Sequence, residues 1–257
     1  VQFIGAAMII DHRKRSPALD LWAVDTAPYY NLPMSPDVAR LFAGVMGFPS
    51  KMPGTSYGLP AEQCITGRIL AAIEGTVCSD CYALKGNYVY PDVRRAQAIR
   101  LAGTRHPRWP EAMAYLLNAM HGIVLKPKGL RHKPVKSKGW HRWHDAGDIQ
   151  SVNHLRAIVR VCELTPRIWH WLPTREVKIL AQWRDQGGIL PDNLLIRVSA
   201  TKIDGNATQA WPWTSGVFDG RTATAKERCT APDTDGECGP CRKCWSRDQA
   251  HTIYHLH

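Results

Sequence analysis

The chain has 257 residues, 44% of them hydrophobic, with ten tryptophans, eight cysteines and a formal net charge of +11. Its length suits one large domain or two modest ones around an ordinary core, and no run reaches the roughly 20 apolar residues that span a bilayer. A small secreted disulfide scaffold is excluded by size, and the apolar opening VQFIGAAMII precedes DHRKR, the reverse of a secretory signal, so a soluble cytoplasmic protein is expected.

Residues 1–53 are expected to form an N-terminal extension. Pro17, Pro28, Pro33 and Pro36 break its periodicity, with a short helix over 37–46 and a turn-rich connector, PSKMPGTSYGLP, at its end. The remainder, 54–257, is expected to be one domain. A short helix over 67–74 lies between Cys64 and Cys78. Pro91 and Pro110 then open two helices. The second of these carries Met113, Leu116, Leu117, Met120 and Val124 at helical spacing.

Much of the positive charge falls in the loop 126–142, which includes Lys126, Lys128, Lys133, Lys136 and Lys138. Such an excess attracts polyanions, so this loop is a candidate nucleic-acid surface; Pro and Gly within it equally suit a solvated loop.

From residue 140 the pattern alternates. A strand over 140–144 leads to the turn 145–148. Ser151 caps a helix with Val152, Leu155, Ile158, Val159 and Cys162 on its apolar face; Cys162 is expected to be a buried, inert thiol. A strand over 168–172 stops at Pro173. Thr174 caps the next helix, which ends at Gly187-Gly188, and a third strand covers 194–198. Strand–helix repeats of this length imply an α/β fold with parallel strands, a partial (β/α) barrel with cysteine-rich metal-binding segments before and after it. Further strands are expected from those segments and the tail.

Ligands in such sheets bind beyond the carboxyl ends of the strands. His144, Asp145, Asp148, Thr174, Arg175 and Ser199 fall on those ends. With Arg197 they are the candidate catalytic or anion-binding residues.

The cysteines carry the chemistry. The segment 229–245 contains Cys229-x8-Cys238-x2-Cys241-x2-Cys244, and an earlier group reads Cys64-x13-Cys78-x2-Cys81. Close runs of Cys-x2-Cys suit a cubane iron–sulfur cluster, in which each iron needs a thiolate; zinc more often takes two pairs set well apart. The quartet therefore points to a [4Fe-4S] cluster, with zinc as the alternative. The trio offers three thiolates. On a four-iron cluster it leaves one iron open to a small anion, substrate or cofactor, unless His144, His154 or His170 completes the set. One or two clusters are expected in all.

The segments LPAEQC, CSDCYALKGNY, RWHDAGDIQSVNHL, WLPTRE and CGPCRKCW resemble the phage-encoded Gene product 88 family, over about 54–257. The resemblance implies a phage or prophage origin and the host cytoplasm. The order of Cys-x2-Cys-Tyr-Ala, strand-turn-Gly-Asp and strand-Thr-Arg also resembles, distantly, the radical S-adenosylmethionine enzymes. These are partial barrels whose three-cysteine cluster binds the cofactor at its open iron. By that resemblance Cys64, Cys78 and Cys81 are the trio. The usual trio is Cys-x3-Cys-x2-Cys, so GRILAAIEG must loop out here.

The leading expectation is an iron–sulfur protein with redox or radical-type chemistry at an open iron. The competing one is a zinc-stabilised phage protein that binds nucleic acid through the basic loop. A purely structural cluster that staples the tail to the sheet is the third.

Overall fold

The computed structural model describes residues 31–219 and 227–256. Six parallel strands form one sheet in sequence order: β1 (Thr55–Tyr57), β2 (Trp140–Trp143), β3 (Trp169–Thr174), β4 (Leu194–Ile203), β5 (Thr214–Phe218) and β6 (His251–His255). The expected parallel α/β architecture is present. The sheet is open, with β1 and β6 as its edges, and does not close into a barrel.

Alternation along the strands sends two side-chain sets to opposite faces. One set, including Trp143, Leu172, Leu194, Ile196 and Val198, joins the main core. Helices α1 (Pro36–Ala43), α4 (Trp109–Met120), α5 (Val152–Leu164) and α6 (Val177–Asp185) supply its other half. The opposite set includes Trp140, Arg142, Trp171, Arg197 and Tyr254. No helix covers it; the cysteine-rich tail does, with Trp245 packed against Trp140 and Trp171. Both faces are thus buried, as a parallel sheet requires.

Helix α1 is built into this core. Val38 and Phe42 are buried there, and the Tyr57 hydroxyl donates to Ala43 O while accepting from Trp109 Nε1. Residues placed in the N-terminal extension by sequence thus close one end of the core. The extension's residues 1–30 lie outside the described part. No helix among the described residues is long and apolar enough to cross a membrane.

Local signals account for most boundaries. Ser35 and Ser151 cap α1 and α5 through their hydroxyls. Helix α3 (Pro91–Gly103) begins on its proline. The strand expected to stop before Pro173 instead runs through it to Thr174. Trp169 N donates toward β2, so Pro173, four residues on, also faces its missing N–H that way. The pairing with β2 has ended at Trp171, and no donor is needed there. Thr174 consequently ends β3. Its Oγ1 accepts from Glu176 N, and Glu176 is the residue that immediately precedes α6. Helix α2 (Ile65–Leu70) starts directly after Cys64, ahead of the expected 67–74.

Candidate metal centre

The first cysteine group lies on the loop after β1, at the carboxyl ends of β1, β2 and β3. The thirteen residues between Cys64 and Cys78 fold back on themselves. They form α2 and a turn in which Thr76 Oγ1 donates to Leu70 O and lies 2.9 Å from Ile73 O. Val77 N then bonds Thr201 O beyond β4. This return is how the long gap brings Cys78 beside Cys64. A Cβ on Gly67 would lie 3.6 Å from Sγ of both Cys64 and Cys78, and 3.0 Å from the Cys64 Cβ. The absent side chain leaves the space between the two sulfurs free.

Two buried carboxylates hold this loop. Glu176 accepts from Ile65 N, Thr66 N and Thr66 Oγ1 at 3.1, 2.8 and 2.7 Å, which fixes the residues directly after Cys64. Asp148 accepts from Ile149 N, Thr174 Oγ1 and Arg175 N at 2.7, 2.6 and 2.9 Å, tying the loop after β2 to the end of β3. The turn before it needs Gly147: φ is +78°, and a Cβ would stand 2.6 Å from that of Leu59. Replacing Glu176 with Gln puts an amide N–H against donors that already point inward. We expect it to cost about 2–4 kcal/mol in thermal unfolding and to lower the metal content of the purified protein. Unchanged melting and metal content would show that the carboxylate does not hold the Cys64 loop.

Burial pushes the Cys64 thiol up, helped by the negative charges of Asp148, Cys81, Cys78 and Glu176. Burial also raises Cys78, and the Arg175 guanidinium opposes it. Asp148 is raised to about 6, again by burial, against the three hydrogen bonds it accepts. Without a cation these thiols stay protonated; a bound metal ion reverses that balance.

Beside Cys81, a hollow of about 350 Å³ is lined by Asp80, Tyr82, Lys85, Gly86, Asn87 and Tyr88. Tyr82 donates to the backbone carbonyl of Asp145, and the Tyr88 hydroxyl stands 3.4 Å from Asp145 Oδ2. Asp145 Oδ1 is buried without a hydrogen-bond partner among the described residues.

The quartet lies on the tail-facing side of the sheet, nearer the amino ends of the strands. Cys238 N bonds Lys51 O, Cys241 N bonds Cys238 O, and Cys229 N bonds Ile253 O. The Cys244 Sγ is 3.2 Å from the Tyr254 hydroxyl. Trp245 Nε1 donates to His141 O, pinning the end of the run to β2. Burial raises Cys238 and takes Cys244 to about 12; Cys229 adds to both, and Arg242 and Arg142 oppose the shift at Cys238. All eight cysteines are free, and Cys162 is buried in the main core on α5 as expected.

A zinc ion at about 2.3 Å from each sulfur draws four thiolates to about 3.8 Å of one another. Among the described residues no three His, Cys, Asp or Glu side chains are drawn together around one ion position. The two cysteine groups gather more openly than that. A cubane, which sets each thiolate on a different iron, asks for the wider spacing, so the donor set fits the larger group.

The remaining sequence candidates divide. Asp145, Asp148, Thr174 and Arg175 surround the trio. Ser199 pairs with Ser215 at 3.0 Å across β4 and β5. Arg197 lies under the tail, donating to carbonyl oxygens of Thr214, Gln249 and Ala250 at 2.9, 3.0 and 3.3 Å; its part is to hold the tail. His144, His154 and His170 do not join the cysteines. His144 packs beside Trp143 and His154, and His170 meets Thr165. In the basic loop, Lys136 pairs with Glu237 of the tail at 3.0 Å. Sequence reading missed Arg142, Trp171 and Tyr254. Their signal was a polar or aromatic residue at every second position of a strand that should be apolar on both faces.

A family model described as Gene product 88 matches residues 37–247. No curated protein and no solved structure matches the chain.

Proposed function

We propose that this chain, which belongs to the Gene product 88 family of phage proteins, is an iron–sulfur protein with a ligand-accepting centre. Cys64, Cys78 and Cys81 would hold a [4Fe-4S] cluster with one iron left for a small exogenous ligand, and Cys229, Cys238, Cys241 and Cys244 a second, closed one. The observation that carries this reading is the grouping of seven free cysteines from distant segments into a trio and a quartet on one sheet. When bound, such a cluster passes single electrons to what its open iron holds.

The protein's own residues have separate tasks. Glu176 fixes the Cys64 loop. Asp148 sets the height of Thr174 and Arg175 over the carboxyl ends. Arg175, whose Nε donates to Ala200 O, places positive charge beside Cys78 and suits an anionic ligand. A three-cysteine loop directly after the first strand of a parallel sheet also resembles the radical S-adenosylmethionine enzymes, so S-adenosylmethionine is the first ligand to try. Electron paramagnetic resonance on the reduced, anaerobic protein tests this. S-adenosylmethionine or cyanide should alter one signal in the parent protein and none in Cys78→Ala. A spectrum indifferent to both ligands would remove the open iron from the account.

A further inference from the structure

Side chains bridge the trio and the quartet without a gap. Tyr254 stands 3.2 Å from Cys244 Sγ, and its ring lies 6.3 Å from that of Trp171. Trp245, the residue after Cys244, also meets Trp171, with ring centres 5.2 Å apart. The Arg142 guanidinium lies over the other part of this stack, 4.8 Å from the Trp171 ring centre. Its Nη2 reaches the Tyr82 hydroxyl at 3.4 Å, and Tyr82 is the residue after Cys81. Both ends of the chain therefore stop beside a cysteine, and both arms converge on Trp171.

Packing alone does not call for this composition. The aromatic stack on the other face, Trp109 with Trp143 and Tyr57, serves the core and ends on no cysteine group. Here a cation is inserted into the middle of the stack. Arg142 Nε and Trp171 Nε1 are buried with no hydrogen-bond partner among the described residues, a costly arrangement for a purely structural element. A buried positive charge between two centres stabilises added negative charge on either.

We propose that Tyr254, Trp245, Trp171, Arg142 and Tyr82 form an internal one-electron relay, with the quartet as the entry and the trio as the exit. This rests on the iron–sulfur reading above. The quartet has four protein thiolates and no open iron, so it passes electrons and binds nothing. The trio uses them. In the step itself one electron leaves the quartet cluster, which is oxidised, and enters the trio cluster, which is reduced. No bond forms or breaks, and Arg142 keeps its proton. A low-potential one-electron donor recharges the quartet.

Rapid freeze-quench paramagnetic resonance after mixing the anaerobic protein with dithionite tests the relay. Signals are assigned with Cys78→Ser and Cys241→Ser, and iron content is measured first. The quartet signal should appear first and the trio signal second. Trp171→Leu should slow the second phase about tenfold or more and leave the first unchanged. Tyr82→Leu, at a ring that is 49% exposed, should do the same without touching the core, and it decides the matter alone if Trp171→Leu fails to fold. Trio reduction at the parent rate in Tyr82→Leu, or ahead of the quartet, would overturn the relay. So would iron in the trio alone, which leaves the open-iron reading standing. A chain without iron is the failure of that reading and is seen before any mixing.

Discussion

Lowering the pH from 7 to 5 is expected to unfold the protein in one cooperative step. Five histidines are buried around the sheet: His121, His141, His144, His154 and His170. Burial holds all five below the usual histidine range, His121 at about 4 and His154 and His170 at about 3. Their hydrogen bonds are those of neutral rings. Gly139 N donates to His121 Nδ1, so His121 Nε2–H donates to Thr55 Oγ1, and the Thr55 hydroxyl in turn donates to His141 Nδ1. A proton added to either imidazole breaks this order.

The unfolded chain takes up these protons near pH 6.5 and the folded one does not. The folded state's advantage is therefore complete above 6.5 and shrinks as the pH falls toward 4. A histidine held at or below about 4 loses about 2 kcal/mol between pH 7 and 5, so five together lose about 10 kcal/mol, comparable with a whole domain's stability. Asp148 acts in the opposite sense. Its folded value of about 6 lies above the unfolded one, so it regains about 1 kcal/mol over the same range, too little to offset the loss. Tryptophan fluorescence against pH checks this: a midpoint between 6.5 and 4.5 is expected, and a flat signal down to pH 4 would contradict it.

Replacing Arg197 with Ala should release the cysteine-rich tail. Arg197 is fully buried, and besides its three closer carbonyl partners it reaches Lys243 O at 3.3 Å and Ser246 O at 3.5 Å. These five acceptors come from β5, the residues around Cys244 and the entry to β6. Truncation leaves several of them dry and unpaired, at about 3–5 kcal/mol. Lys cannot reproduce the planar fork and should rescue only part. The tail should become a protease target, with Cys244 open to alkylation, while α4 and α5 stay protected. Loss of the whole fold together would show that the tail is not a separable layer.

The parallel alternation of strands and helices was legible because α5 and α6 are amphipathic, and caps such as Ser151 carry their own signal. The two groups of cysteines were legible from spacing. Three things were not. Pro173 argued against a strand, since only the register with β2 shows that its missing donor is not needed. Strands β5 and β6 are short, and their crossover is an irregular cysteine-rich run rather than a helix, so no periodicity announces them. Arg197 and Glu176 looked alike in sequence, as polar residues at strand ends. One holds the tail and the other the Cys64 loop, and that division depends on which loops the fold brings over them.

Iron and acid-labile sulfide, measured on protein purified without oxygen, test the central claim most directly. The parent chain should contain both in equal amounts. A variant with Cys64, Cys78 and Cys81 all changed to Ala should lose one cluster's share and keep the rest. A colourless protein with stoichiometric zinc, or a triple variant that retains all the iron of the parent, would contradict the account.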